Sequence, residues 1–182
     1  ALLELKNLTT GGSNMLISGN TFSNYVNFGI FSGRSNNVTI DNNTFTPDPA
    51  SVVFRSIRVD TKQRTTAPQT AFASGADIIK NTFNGNVAVG QAGVSVELAN
   101  SDNISSIGTV TLGGLGNENN FNTNVSKFIS LNNETSSTTG DPVWTGTYIS
   151  TKGKVTANVN GVNNNYNAGA GLQLPSAMLI AN

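Results

Sequence analysis

The pattern of apolar and polar positions repeats along the chain. An isoleucine, two intervening residues and then Asn-Thr-Phe occur three times, at residues 17–22, 40–45 and 78–83, and looser copies end at Phe121 and Tyr166. Short apolar stretches of strand length, separated by polar turns, lie between the copies, and no helical period is present. Because a repeated unit buries its apolar face only against its neighbours, this pattern predicts a stacked all-β architecture.

The repeated unit has the length of one coil of a parallel β-helix. The first two copies are 23 residues apart, and the unit is interpreted as strand, Asn-rich corner, strand and polar turn. Successive coils of such a solenoid lie about 4.8 Å apart. The aromatic residues of the copies are therefore predicted to stack inside the coil. The asparagines are predicted to turn the chain at the corner, with left-handed backbone, and to hydrogen-bond from coil to coil.

The later copies are 38 residues apart, which predicts insertions. The first insertion is expected within residues 46–76, where Pro47 and Pro49 interrupt the coil. Within it, a strand is predicted at residues 51–59 and a protruding loop at residues 60–75. A second loop is expected at 132–142. The tail at 168–182 breaks the pattern and is predicted to cap the last coil or to pair with another subunit. Further strands are predicted to begin at Leu3, Met15, Gly29, Val38, Ala92, Thr109 and Lys127.

Composition limits the classes of function. The formal net charge is zero and only 11% of residues are charged, so we expect no binding to nucleic acid. No apolar run approaches the roughly 20 residues of a membrane helix, and no membrane insertion is expected. Without Cys or His there is no disulfide framework, thiolate metal site or Ser-His-Asp triad. Residues 1–182 are predicted to form a single β-helix domain, cut from a longer precursor because the chain begins in what reads as a strand.

The densest charge cluster lies in the region of the first insertion. Four of the ten basic residues fall here, with one acid among them. One interpretation is a cleft in which arginines bind the carboxylate of an acidic sugar or another anion. The alternative is an ordinary charged strand face and loop. The candidate ligand-binding residues in this cluster are Arg55, Arg58, Asp60, Lys62 and Arg64.

Two aromatic residues form a second candidate site. Trp144 and Tyr148 flank Gly146 at period-two spacing, so they share a face if the segment is a strand. Aromatic rings on a surface loop can stack on sugar rings. The alternative is that one or both belong to the core or to a cap.

Threonine is also frequent, which raises the question of an ice-binding face. Such a face needs threonines at regular intervals on one flat surface. Thr39, Thr44, Thr109 and Thr111 show no constant spacing along the chain, which argues against this function.

The copies at residues 17–22, 40–45 and 78–83 resemble the I-x-x-N-x-F repeat of right-handed parallel β-helix proteins of the pectin-lyase-like superfamily. The resemblance implies a right-handed parallel β-helix with loop insertions over roughly residues 3–166. The family includes pectate lyases, polygalacturonases and surface adhesins. This sequence lacks the His motif and paired aspartates of the polygalacturonases, and its acids are scattered rather than grouped as in a lyase calcium site.

The sequence favours a non-enzymatic extracellular or cell-surface module for adhesion, fibre assembly or glycan binding. Its expected partners are a polysaccharide or cell-surface glycan and a further copy of the chain. The alternative is a polysaccharide lyase-like enzyme that acts on acidic glycans, in which an arginine or lysine is the base and Asp60 is a calcium ligand. No cofactor is expected for the surface module.

Overall fold

The computed structural model describes residues 1–6, 14–61, 72–85, 88, 92–101, 106–113, 116–123, 125 and 127–133. All regular structure in these ranges is β-strand, and they include no helix long and apolar enough to cross a membrane. The strands are β1 (Leu3–Lys6), β2 (Met15–Ser18), β3 (Thr21–Tyr25), β4 (Phe28–Gly33), β5 (Val38–Asp41), β6 (Thr44–Pro47), β7 (Val53–Asp60), β8 (Ala73–Ile79), β9 (Thr82–Gly85), β10 (Ala92–Asn100), β11 (Ser106–Leu112), β12 (Asn120–Thr123) and β13 (Lys127–Asn133).

The strands form three parallel sheets. Sheet 1 has the order β1-β4-β7-β10-β13, sheet 2 the order β2-β5-β8-β11, and sheet 3 the order β3-β6-β9-β12. The chain visits sheets 1, 2 and 3 in turn and then returns to sheet 1, so each strand pairs with its equivalent in the next coil. This confirms the all-β prediction with parallel strands in stacked sheets, and it is compatible with a parallel β-helix.

Each of the four coils from β1 to β12 contains three strands, where the sequence predicted two. The asparagine of each Asn-Thr-Phe copy was placed at a corner, but the Thr-Phe that follows it begins a separate strand, which belongs to sheet 3. In each of these short strands the phenylalanine is buried and its two neighbours are more exposed. The strands are four or five residues long and have only one or two buried positions each, which is too few to show a period among the surrounding polar residues.

The predicted aromatic stack is confirmed. Phe22, Phe45, Phe83 and Phe121 occupy equivalent positions in sheet 3. Successive ring centroids are 5.0, 5.2 and 5.0 Å apart, and the ring planes are within 13° of parallel. A second column, Ile17, Ile40, Ile78 and Leu112, lies in sheet 2. Both columns belong to one continuous core, whose burial supplies most of the driving force for stacking the coils.

The predicted asparagine ladder is also confirmed. Asn20, Asn43, Asn81 and Asn119 immediately precede the strands of sheet 3. The backbone N–H of Asn43 donates to Asn81 Oδ1 at 3.0 Å, and Asn43 Nδ2 donates to the same oxygen at 3.1 Å. The same pair of bonds joins Asn20 to Asn43 and Asn81 to Asn119. One amide side chain therefore satisfies backbone and side-chain donors of the preceding coil.

The left-handed residue lies one position before the ladder, which corrects the prediction. Gly19, Asn42 and Lys80 have φ of 70°, 53° and 54°, and the ladder asparagines are not among the positive-φ residues of the described chain. The residue before the ladder asparagine makes the turn, and the ladder asparagine leads directly into the next strand. Asparagine and glycine adopt this conformation readily, whereas Lys80 does so at some cost in backbone strain.

The insertions were placed only approximately from the sequence. Pro47 does not interrupt the coil. It is the last residue of β6 and is in register with Tyr25, and the following N–H, from Asp48, continues the pairing by donating to the Tyr25 carbonyl at 3.1 Å. The predicted loops also begin too early, since β7 continues to Asp60 and β13 to Asn133. Most of the second loop and the tail at 168–182, with its predicted capping or assembly role, lie outside the described residues.

Tyr25 carries a buried hydroxyl within this core. The side chain is 2% exposed, its hydroxyl lies 2.6 Å from Ser56 Oγ, and its ring packs edge-on against Phe54. Burial raises the pKa of the Tyr25 phenol, and the hydrogen bond with Ser56 opposes this only in part.

The stability of the fold should therefore decrease above about pH 10, where tyrosine in the unfolded chain loses its proton while buried Tyr25 keeps it. Tyr25→Phe should remove this contribution, so its stability should decline less steeply than that of the original chain. Urea unfolding from about pH 8 to pH 11 measures the two slopes. Identical slopes would contradict the assignment.

Candidate functional site

The charged cluster predicted from the sequence lies partly on the outer face of sheet 1. In β7, Ile57 and Val59 belong to the core, so Arg58 and Asp60, which alternate with them, point to the opposite face. In β10, Glu97 lies between two core residues in the same way. The parallel register places Arg58 directly beside Glu97.

Arg58 is the centre of an ion-pair network. Its Nε and Nη2 atoms lie 2.8 and 2.7 Å from Asp60 Oδ2, and its Nη1 donates to Glu97 Oε2 at 2.8 Å. Nη2 also donates to Ser101 Oγ at 3.1 Å. The side chains of Arg58, Asp60 and Glu97 are 6%, 0% and 3% exposed. Buried charges at these distances hold one another in place, and removing one of them leaves its partners with less compensation for their charge.

Arg55 is the part of the network that reaches the surface. Its Nε donates to Glu97 Oε2 at 3.0 Å, and its side chain is 23% exposed. The guanidinium carbon lies 5.8 Å from the ring centre of Phe28, which is half-buried on the neighbouring strand. Arg55 is therefore fixed by a carboxylate and an aromatic ring while part of the side chain remains accessible to a ligand.

Three residues near this network were not singled out from the sequence. Glu97 and Phe28 lie 42 and 27 positions from Arg55 along the chain, and only the strand register brings them to it. Arg34 is 1% exposed; its backbone N–H donates to the Asp60 carbonyl, and its guanidinium carbon lies 5.4 Å from the ring centre of Phe72. Arginine is rarely buried in proteins, so nothing in the sequence indicated that Arg34 lies in the interior.

Four predicted ligand-binding residues cannot be placed relative to this network. Lys62, Arg64, Trp144 and Tyr148 lie outside the described residues. The structure brings Arg55, Arg58 and Asp60 together, as the sequence proposed, but through contacts among the protein's own side chains. Ligand binding by the seven residues stays a prediction.

The environment of Asp60 does not suit a calcium ligand. Its carboxylate is fully buried and accepts two hydrogen bonds from Arg58. Calcium in proteins takes six to eight oxygen ligands, whereas the described part of the chain contains no group of three or more acidic side chains that could hold a metal ion. No catalytic step is therefore assigned to calcium.

In comparisons with known proteins, no family model, no curated protein and no solved structure matches the chain. The described residues define its class as an all-β protein with parallel strands in three stacked sheets.

Proposed function

We propose that the chain is a right-handed parallel β-helix module, similar to those of the pectin-lyase-like superfamily, and that it binds a polysaccharide or cell-surface glycan without catalysing a reaction. A right-handed winding is proposed because parallel crossover connections are almost always right-handed. The repeated I-x-x-N-x-F unit and the three in-register sheets support the family assignment. An extracellular or cell-surface location accords with this proposal.

The observation that carries the glycan proposal is the partly exposed pair of Arg55 and Phe28. A guanidinium beside an aromatic ring offers a sugar two complementary contacts. The ring can pack against the apolar face of a sugar, and the guanidinium can donate two hydrogen bonds to a carboxylate or to neighbouring hydroxyls. Because Glu97 already orients Arg55, little side-chain entropy is lost when a ligand binds.

Arg55→Ala should weaken binding to uronate-containing glycans by about tenfold or more, since a hydrogen bond to a charged group contributes about 1.5–3 kcal/mol. A glycan array followed by titration of the best ligand measures the change. Lys80→Asn is the matched control, because it removes one positive charge from an exposed position in the turn between sheets 2 and 3 and suits the local left-handed backbone. A chain that binds no glycan, or equal weakening by both variants, would contradict the proposal.

A lyase-like enzyme for acidic glycans is the second candidate. It is favoured by one observation, the convergence of two guanidinium groups on Glu97 Oε2, at 3.0 Å for Arg55 and 2.8 Å for Arg58. This activity would release unsaturated uronate products that absorb in the ultraviolet and would be lost in Arg55→Ala. A panel of uronate polymers that yields no such product would remove this candidate and leave the binding module unaffected.

A further inference from the structure

One end of the coil stack is incompletely covered. The first coil, formed by β1, β2 and β3, supplies the terminal strand of all three sheets, and within the described residues these strands have a partner strand on one side only. Ile17 and Phe22, the inward residues of β2 and β3, are 8% and 9% exposed. Their equivalents in the second coil, Ile40 and Phe45, are 0% exposed. We call this surface, formed by β1, β2 and β3, the first-coil end.

Apolar side chains are concentrated in the first coil. Leu3, Leu5 and Met15 pack against the core but remain half-buried. Leu2 and Leu16 are 55% and 68% exposed. Removing apolar surface of this kind from water is favourable, so the first-coil end has the character of an interface.

The free edge of β1 has a defined hydrogen-bonding pattern. The Leu2 N–H donates to the Phe28 carbonyl, next to β1 in sheet 1, at 3.0 Å. Alternate residues of a strand direct their N–H and C=O groups to opposite sides, so Leu3 and Leu5 direct theirs away from β4. No other strand of the described chain pairs with β1 on that side. An edge of this kind is a template for pairing with a further strand.

The sequence of β1 is self-complementary in antiparallel pairing. With a twofold axis beside Leu5, the Leu5 residues of two copies form a hydrogen-bonded pair that exchanges both N–H···O=C bonds. Position 4 of one copy then lies opposite position 6 of the other, and the sequence has an acid, Glu4, at one and a base, Lys6, at the other. Residues of opposite charge at directly opposed positions favour such pairing. An axis beside Leu3 would instead set Glu4 opposite Leu2.

We propose that two copies of the chain associate through their first-coil ends, with β1 of one copy antiparallel to β1 of the other. A second copy fits this surface because it presents a coil with the same three strands, so the contact continues the coil-on-coil packing within the chain. An extended peptide added to β1 would leave Met15 and Phe22, on the other two sheets, uncovered. The two five-stranded copies of sheet 1 then form one continuous sheet.

Sedimentation equilibrium of the full chain over a range of concentrations tests the proposal, and a dimer is expected. Leu5→Pro removes the N–H group that faces the free edge and leaves the bonds between β1 and β4 in place, since proline is tolerated at a sheet edge. It should weaken the dimer by about tenfold or more, because each copy loses a hydrogen bond to the other. Leu5→Val is the matched control, since it keeps the N–H group and favours a strand, and it should dimerise like the original chain. Circular dichroism and urea unfolding establish that both variants fold.

Disulfide cross-linking tests the register without a proline. The chain contains no cysteine, so Glu4→Cys and Lys6→Cys each introduce a single thiol. In the proposed dimer the Cα atoms of positions 4 and 6 of opposite copies are about 4.5 Å apart, within reach of a disulfide, whereas two copies of the same position are about 8 Å apart. A mixture of the two variants should therefore cross-link under mild oxidation, and either variant alone should not.

A monomer at all concentrations would overturn the proposal, as would equal dimerisation of the two folded Leu5 variants. Cross-linking of either cysteine variant alone as readily as the mixture would refute the twofold axis at Leu5. Assembly into oligomers that lengthen with concentration would indicate head-to-tail stacking and would likewise refute the twofold contact. None of these outcomes depends on Arg55, so the glycan proposal for sheet 1 is tested separately.

Discussion

Replacing Asn81 with alanine is expected to lower the free energy of unfolding by about 3–5 kcal/mol, because several buried polar groups lose their partners together. Asn81 Oδ1 accepts two hydrogen bonds from Asn43. Its Nδ2 donates to the carbonyls of Ile40 and Ile79 and to Asn119 Oδ1. Alanine supplies none of these bonds, and the side chain is 0% exposed, so water does not reach the site readily. Urea unfolding measures the loss.

Asn20→Ala is the matched control, at the exposed end of the same ladder. It removes side-chain hydrogen bonds to Ser18 and Asn43, but water can replace them. The expected loss is about 0.5–1.5 kcal/mol, the usual net contribution of one hydrogen bond. Equal losses for the two variants would show that the ladder is not a buried structural element.

Arg58→Met is expected to destabilise the fold by about 3–5 kcal/mol, the range observed when one partner of a buried ion pair is removed. Methionine retains much of the apolar stem but removes the guanidinium that compensates Asp60 and leaves Glu97 with Arg55 as its remaining arginine partner. Thermal or urea unfolding at neutral pH measures the change. The cost should arise mainly from the stranded carboxylates, not from lost packing.

Two further variants separate these causes. Arg55→Met removes the more exposed arginine and leaves Glu97 paired with Arg58, so its expected cost is about 0–1 kcal/mol. Adding Asp60→Asn and Glu97→Gln to Arg58→Met should restore much of the lost stability, because neutral amides replace the uncompensated charges. No recovery in this triple variant would contradict the electrostatic explanation.

The sequence indicated those features that one repeat carries within itself. The Ile and Phe of each copy are large and apolar, so their burial can be predicted without knowing which distant residues they contact. The asparagine of each copy could likewise be assigned to a ladder, because identical side chains at equivalent positions stack when coils are parallel. These grounds correctly predicted the ring stack of Phe22, Phe45 and Phe83. They also correctly predicted the hydrogen bond between Asn43 and Asn81.

The candidate sites were less accessible to sequence reasoning. Arg55 and Arg58 were identified as candidate residues of one site. Glu97, whose carboxylate binds both arginines, lies about 40 residues away along the chain, and insertions of unequal length separate it from them. The third sheet was missed because strands of four or five residues give too little alternation to distinguish a strand from a corner.

The sequence by itself determined the composition of each coil, with its inward Ile and Phe and its coil-joining Asn. Only the tertiary structure decided which outward residues share a column, such as Thr21, Thr44 and Thr82, or which charges meet, such as Arg58 and Glu97. The physical reason is that inward positions are selected by burial, which acts on each residue separately. Outward neighbours are set by hydrogen-bond register between coils, which depends on where every intervening loop ends.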